Sequence, residues 1–191
     1  LDILLVSADG WRGRATVLPA GPWRETLHSA KRASLIIVTC KTAGAGKVEA
    51  LKRALAAAAP SVPQALVRLR LGDLHSTATG QTMPLTALAD AKVLAIAAIA
   101  NPESFFDQLT AVGADVIPRA YPDHHRFSQR EAGRLAADAE AADFVVCTLK
   151  DAVKLGPLWP PQTGSLWYVS QRVGFEDGTA IIEGMLDRIC D

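Results

Sequence analysis

The sequence predicts an α/β protein built on a mostly parallel sheet with flanking helices. Two observations predict it. Short apolar runs rich in Val, Ile and Leu alternate along the chain with segments of helical composition, which is the signature of βαβ units. Of the 191 residues 49% are hydrophobic but only 6% aromatic, so the core must be made of Ala, Val, Leu and Ile, as in helix-covered sheets.

Leu1 to Ser7 (LDILLVS) reads as a buried strand. Residues 8–24 carry three Gly and two Pro and read as an extended loop. Glu25 to Arg32 has room for one or two helical turns, and Leu35 to Cys40 (LIIVTC) is a β-branched strand. Val48 to Ala59 is helical in composition and ends before Pro60, which cannot continue a helix. Ala65 to Leu74 alternates apolar and polar, the pattern of a strand with one wet face, and Ser76 to Met83 is a turn or hairpin. Val93 to Ile99 is a strand. Pro102 to Val112 is a helix with Asn101 at its cap and Gly113 just past its end. Val116 and Ile117 start another strand. Ser128 with Glu131 three residues on forms a capping box for a helix reaching Ala142. Phe144 to Thr148 and Leu166 to Val169 are strands, and Asp177 to Arg188 is a closing helix.

Composition excludes several classes. Lys+Arg and Asp+Glu both number 20, so a neutral chain has no electrostatic footprint for nucleic acid. No apolar run approaches the roughly 20 residues of a spanning helix. No secretory leader is expected, and a chain opening on a strand without Met is expected to be a piece of a longer protein. Cys40, Cys147 and Cys190 are widely separated and form no CxxC pair, so they are expected to be small buried hydrophobes.

Four segments carry polar groups that could do chemistry. Lys41 to Val48 (KTAGAGKV) follows a strand and precedes a helix, but a phosphate loop needs GxxxxGK[ST]. The first Gly would have to be residue 41, which is Lys, and the hydroxyl residue is Val48, so the stretch reads as a flexible turn. Pro122 to Phe127 (PDHHRF) places Asp123 beside His124 at the end of a strand, where α/β sheets bind ligands. A carboxylate with an imidazole suits acid–base chemistry; a polar surface turn is the alternative. Trp11 to Arg32 holds Arg12, Arg14, Arg24, Lys31 and Arg32 against Glu25 alone, a local charge of +4 (five cations less one acid) among tryptophans. That mixture suits an anionic amphiphile or a membrane surface, or else a solvated loop. In Thr148 to Lys154 (TLKDAVK), Lys150 and Asp151 either line the crevice at a strand end or open a helix.

In this order, LPAGPWRE (18–25), IANPESFF (99–106), YPDHHRF (121–127) and TLKDAVK (148–154) resemble the tetraacyldisaccharide 4′-kinases, whose forms are similar to LPAGPLRE, IGNPERFF, PDHHxF and TEKDAVK. The resemblance runs across essentially this whole chain but only the carboxyl-terminal half or so of the family. The family's P-loop, its general-base Asp and its DDGFQ metal-binding segment would precede residue 1. Departures lie at Gly13-Arg14-Ala15 for GNG, at Ala98 and Ala100 for glycines, and at Leu149 for Glu.

The resemblance implies a P-loop-kinase-like distal lobe, with residues 1–34 continuing the nucleotide-binding lobe and substrate loop and 35–191 forming a carboxyl-terminal α/β lobe. It implies transfer of phosphate from ATP, with Mg²⁺, to the 4′-hydroxyl of an acylated disaccharide 1-phosphate. Both cofactors would be bound mainly by the amino-terminal half, with no metal ligand within this chain. His124 and Asp123 become the catalytic candidates, with His124 pairing with the base Asp of the other half. Arg24, Arg12, Arg14 and Asn101 become substrate contacts, and Lys150, Asp151 and His125 line the cleft. The implied partner is the lipid at an inner-membrane surface, not nucleic acid, and the implied location is cytoplasmic, peripheral on the inner face of a bacterial inner membrane. A truncated, non-catalytic module binding an anionic lipid or a protein is the alternative.

Overall fold

A computed structural model describes residues 1–190, with the side chains of residues 189 and 190 excepted. The expectation for Cys190 therefore lies outside the described side chains. Two compact units form: Leu1–Leu69 together with the chain from Val173 onward, and Arg70–Arg172. Compactness thus divides the chain elsewhere than at residue 34, the boundary expected for lobes of a longer protein.

In the first unit, β1 (Ile3–Ser7), β2 (Leu35–Cys40) and the start of β3 (Gln64–Ser76) run parallel, with Ile3 opposite Leu35 and Ile36 opposite Gln64. A short 3₁₀ helix, Leu27–Arg32, precedes β2. Between β2 and β3 lies α1 (Ala45–Ala58), which buries Val48, Leu51, Leu55 and Ala58 at spacings of three and four, one helical stripe. Val48, Leu51 and Leu55 pack with Val6, Trp11, Ile36 and Val38 in one cluster. Each such aliphatic side chain contributes roughly 1.5–3 kcal/mol on burial. The helix starts three residues before the expected Val48, because Gly44 takes the extended cap conformation and Gly46 and Lys47 join the first turn.

The first unit also holds the end of β8 (Leu166–Asp177) and α5 (Thr179–Cys190). Gly178 joins them at φ +79°, where a Cβ would stand 2.7 Å from the Cβ of Ala65, so both conformation and space demand glycine. β8 is far longer than the expected Leu166–Val169. Its second half, Gln171–Asp177, is exposed and carries no core pattern to mark it, and the ion pairs Arg68–Glu176 and Lys52–Asp177 run along it.

In the second unit the strand order is β8, β7 (Phe144–Thr148), β5 (Lys92–Ala97), β6 (Asp115–Ala120), all parallel, and the two-residue β4 (Thr82–Met83) folds back antiparallel on β3. Both faces are covered. Val93, Ala95 and Val146 pack against Phe105, Phe106 and Leu109 of α2 (Glu103–Ala111). Leu94, Ile96, Val145 and Cys147 pack against Leu135 of α3 (Gln129–Asp138) and Leu155 of α4 (Leu149–Leu155). Strands buried on both faces read as continuous apolar runs, as VLAIA and FVVC do. β6 ends the strand order and so tolerates Pro118, which cannot donate to a ladder. The Ser128–Glu131 capping box is present in both directions. The expected wet face of β3 is missing only at its start, where Ala65, Leu66 and Val67 are all buried; Arg70 is exposed, and from Gly72 to Ser76 buried and half-buried residues alternate.

Candidate functional site

Three of the four motif segments meet in the second unit, at the carboxyl ends of β5, β6 and β7. Parallel strands end together, so the segments following them, 98–104, 121–127 and 148–154, are neighbours by topology. Asp151 ties two of these strand ends together. It is fully buried, and its Oδ2 accepts from the Ala98 backbone N–H at 3.0 Å and from the Thr148 hydroxyl at 2.7 Å. Thr148 in turn caps α4, accepting from the Asp151 N–H at 3.2 Å. Asp151 is therefore both a strand-end residue and part of a helix start. Its burial removes it from the expected cleft lining, because a residue with no exposed surface touches no ligand.

The same short helix holds the PDHHRF loop with its two lysines. Lys150 Nζ lies 3.0 Å from Asp123 Oδ1, and Lys154 Nζ donates to the His125 carbonyl at 3.2 Å while standing 3.9 Å from Asp151 Oδ1. The hydrogen bond from Lys150 holds the Asp123 carboxyl below its usual range, aided by the neighbouring His124. Asp123 Oδ1 also accepts the His124 backbone N–H at 3.0 Å. His124 sits at φ +63°, a left-handed conformation that costs a non-glycine residue energy and persists only when its surroundings hold it. Its ring is largely exposed, with Nε2 at 3.6 Å from Asp123 Oδ2.

His125 has a different environment. It stacks on Tyr121 at 4.8 Å, meets Phe127 edge-on at 4.9 Å, and its Nε2 lies 3.0 Å from Glu131 Oε1. Glu131 is held below its usual carboxyl range first by the Ser128 hydroxyl and amide and then by His125. Burial raises the Tyr121 phenol. The imidazoles part because the segment is a turn, closed by the His125 N–H on the Pro122 carbonyl, rather than an extended strand. His125 thus braces the loop from its half-buried side rather than lining an open surface. Asn101 Oδ1 accepts the Ser104 N–H at 3.3 Å at the start of α2, and the residue is exposed on the strand-end loop.

The fourth segment belongs to the first unit. Arg24 lines an open groove of about 790 Å³ along β1, floored by Leu4, Val6, Trp23 and Leu27. Arg12 donates to the carbonyls of Asp9 and Trp11 at 3.4 Å each, and Arg14 is exposed. Lys154, Tyr121, Glu131 and Asp9 all bear on these two regions without having been candidate site residues in the sequence. Lys154 had a signal, four residues after Lys150 on one helix face.

No group of three or more His, Cys, Asp or Glu among the described residues is placed to hold a metal ion. The KTAGAGKV turn does not fit a nucleotide phosphate, because the Asp9 carboxylate occupies its amides. Among the described residues no helix is long and apolar enough to cross a membrane.

The sequence model of one family, Tetraacyldisaccharide-1-P 4′-kinase (LpxK), matches residues 1–190. A tetraacyldisaccharide 4′-kinase of Anaeromyxobacter dehalogenans is 35% identical over 98% of this chain and 50% of its own length. One from Xanthomonas euvesicatoria is 32% identical over 98% of this chain and 51% of its own. A crystal structure of LpxK from Aquifex aeolicus in complex with ATP superposes with a TM-score of 0.60 at 19% identity, covering 98% of this chain and 51% of that one. The chain therefore spans about half the length of the relatives it matches.

Proposed function

This chain belongs to the tetraacyldisaccharide-1-P 4′-kinase family, and from that premise we propose that it forms the lipid-facing and part of the catalytic face of a kinase that phosphorylates the 4′-hydroxyl of an acylated disaccharide 1-phosphate. The observation that carries the reading is the convergence of three family-like segments on one set of strand ends, with the exposed His124 ring held there in a left-handed turn.

ATP would supply the transferred phosphoryl group with Mg²⁺ as counter-charge, and among the described residues the amides of the β2–α1 turn are already taken by Asp9. Phosphoryl transfer depends on positioning and charge neutralisation, with a base orienting the hydroxyl. His124 serves by orienting a carboxylate base carried outside this chain and tuning its basicity through a ring nitrogen. Asp123, clamped by Lys150, fixes the backbone that presents that ring. Arg24 meets the anionic headgroup, with Arg12, Arg14 and the exposed Asn101 as further substrate contacts. The apolar groove beside Arg24 and the basic, Trp-bearing stretch 11–32 suit an amphiphile presented at the inner face of a bacterial inner membrane.

The test is phosphate transfer from ATP to the disaccharide 1-phosphate by the full polypeptide that carries this chain. Transfer there, with none from the 191-residue chain alone, is expected; no transfer by the full polypeptide would leave a non-catalytic module binding an anionic lipid. In the active polypeptide, Arg24→Ala should weaken use of the acceptor about 10- to 150-fold, the cost of one charge-assisted contact at roughly 1.5–3 kcal/mol. ATP affinity should barely change. Acceptor kinetics equal to wild type would remove Arg24 from the site.

A further inference from the structure

The turn that mimics a phosphate loop without being one has an occupant. Asp9 lies two residues past β1, and its Oδ1 accepts backbone N–H groups from Thr42 at 2.9 Å and Ala43 at 2.8 Å. Its Oδ2 takes the Lys41 N–H at 3.0 Å and the Ser7 hydroxyl at 3.3 Å. The Asp9 carbonyl accepts from Lys47 Nζ at 2.6 Å and more weakly from Arg12. Successive amides leading into a helix form the cradle that phosphate sites use, and they are orphan donors unless something accepts from them. Here the acceptor comes from within the chain. Partial burial pushes the Asp9 carboxyl up, but the amides of Thr42, Lys41 and Ala43 together outweigh it and hold the group below its usual range.

Asp9 also stands at the root of the loop that carries Arg24. Two residues on, Trp11 is buried and packs edge-on against Trp23, with ring centres 6.0 Å apart. Trp23 is fixed in turn, its N–H on the Thr16 carbonyl and its carbonyl accepting from Leu18. Arg24 follows directly. A continuous route of contacts therefore runs from the β2–α1 turn through Asp9, Trp11 and Trp23 to Arg24.

We propose that Asp9 is a positioning residue: its carboxylate fills the amide cradle between β2 and α1 and so anchors the loop that presents Arg24. Only the role of Arg24 rests on the function proposed above.

The experiment uses the full polypeptide that carries the chain. Asp9→Ala should lower the thermal midpoint by a few degrees, the scale of losing charged hydrogen bonds in a polypeptide longer than this chain. It should also diminish the near-ultraviolet circular dichroism of the tryptophan pair. Formate at about 0.1 M should recover much of both, because a free carboxylate can re-enter the vacated cradle, whereas sodium chloride at the same ionic strength should not. KM for the acceptor should rise about 10-fold with kcat little changed, the mark of lost binding rather than lost chemistry. Wild-type behaviour of Asp9→Ala, or a loss that formate does not touch, would overturn the proposal.

If Asp9→Ala does not fold, Asp9→Asn decides. It keeps an acceptor for the amides but does not titrate. A depressed carboxyl contributes stability that is present above its ordinary value and lost as pH falls through the folded value. The wild type should therefore lose its advantage over Asp9→Asn in acid, and parallel pH curves would overturn the proposal. Absence of phosphate transfer by the wild type would sink the kinase reading, while the thermal, dichroism and formate measurements would still decide Asp9.

Discussion

Replacing His124 with alanine in the full polypeptide is expected to lower kcat by about 10²- to 10⁴-fold at most, the range for losing assistance to a general base. KM should move less, because orienting a base matters mainly in the transition state. His125→Ala should behave differently. Its ring is packed between Tyr121 and Phe127 and bonded to Glu131, so the change should reduce stability by the scale of a half-buried aromatic contact, about 1 kcal/mol. Its kcat should fall only as far as the loop loosens. The deciding measurement is the pair of kcat values at saturating ATP and acceptor, with folding confirmed by circular dichroism. Near-wild-type rates for both variants would return the loop to the status of a polar turn. A larger loss at His125 would transfer the role to the half-buried imidazole.

Asp151→Ala should be the most damaging polar substitution for stability, at about 3 kcal/mol, because it leaves the buried Ala98 N–H and the half-buried Thr148 hydroxyl without this acceptor. For a chain of this size that corresponds to a fall of roughly 6–12 °C in thermal midpoint. Asp151→Asn should cost less than half as much, since its amide oxygen can still accept both bonds. Thermal denaturation of the two variants measures the difference. An Asp151→Ala protein as stable as wild type would mean that the strand ends are held without this carboxylate.

The sheet was legible in the sequence because a parallel strand buried on both faces has nowhere to place polar residues, so VLAIA and FVVC announce themselves. Capping was legible for a similar local reason: Ser128 and Glu131 satisfy each other's backbone groups within one turn. The four motif segments were legible as residue patterns, and their order carried the family. The second half of β8 was not legible, because an exposed stretch such as QRVGFED has no burial periodicity to read. The division of compact units near residues 69 and 172 was equally hidden, since it depends on long strands shared by sequence between the two units.

What the sequence by itself determined is therefore local: which residues form strands and helices, and which polar types follow which strand. Only the tertiary structure decided which of those residues meet. Asp151, read as either a lining residue or part of a helix start, proves to be the buried tie between β5 and β7, because the Ala98 amide 53 positions away reaches it. Lys41 to Val48 proves to be a cradle already filled, because Asp9 arrives from 32 to 34 positions upstream. Adjacent histidines face opposite environments because a turn closes on Pro122 and two lysines from another segment hold it. Hydrogen bonds and ion pairs act over a few ångströms in space and are indifferent to separation along the chain, so a reading along the chain finds the groups but not their partners.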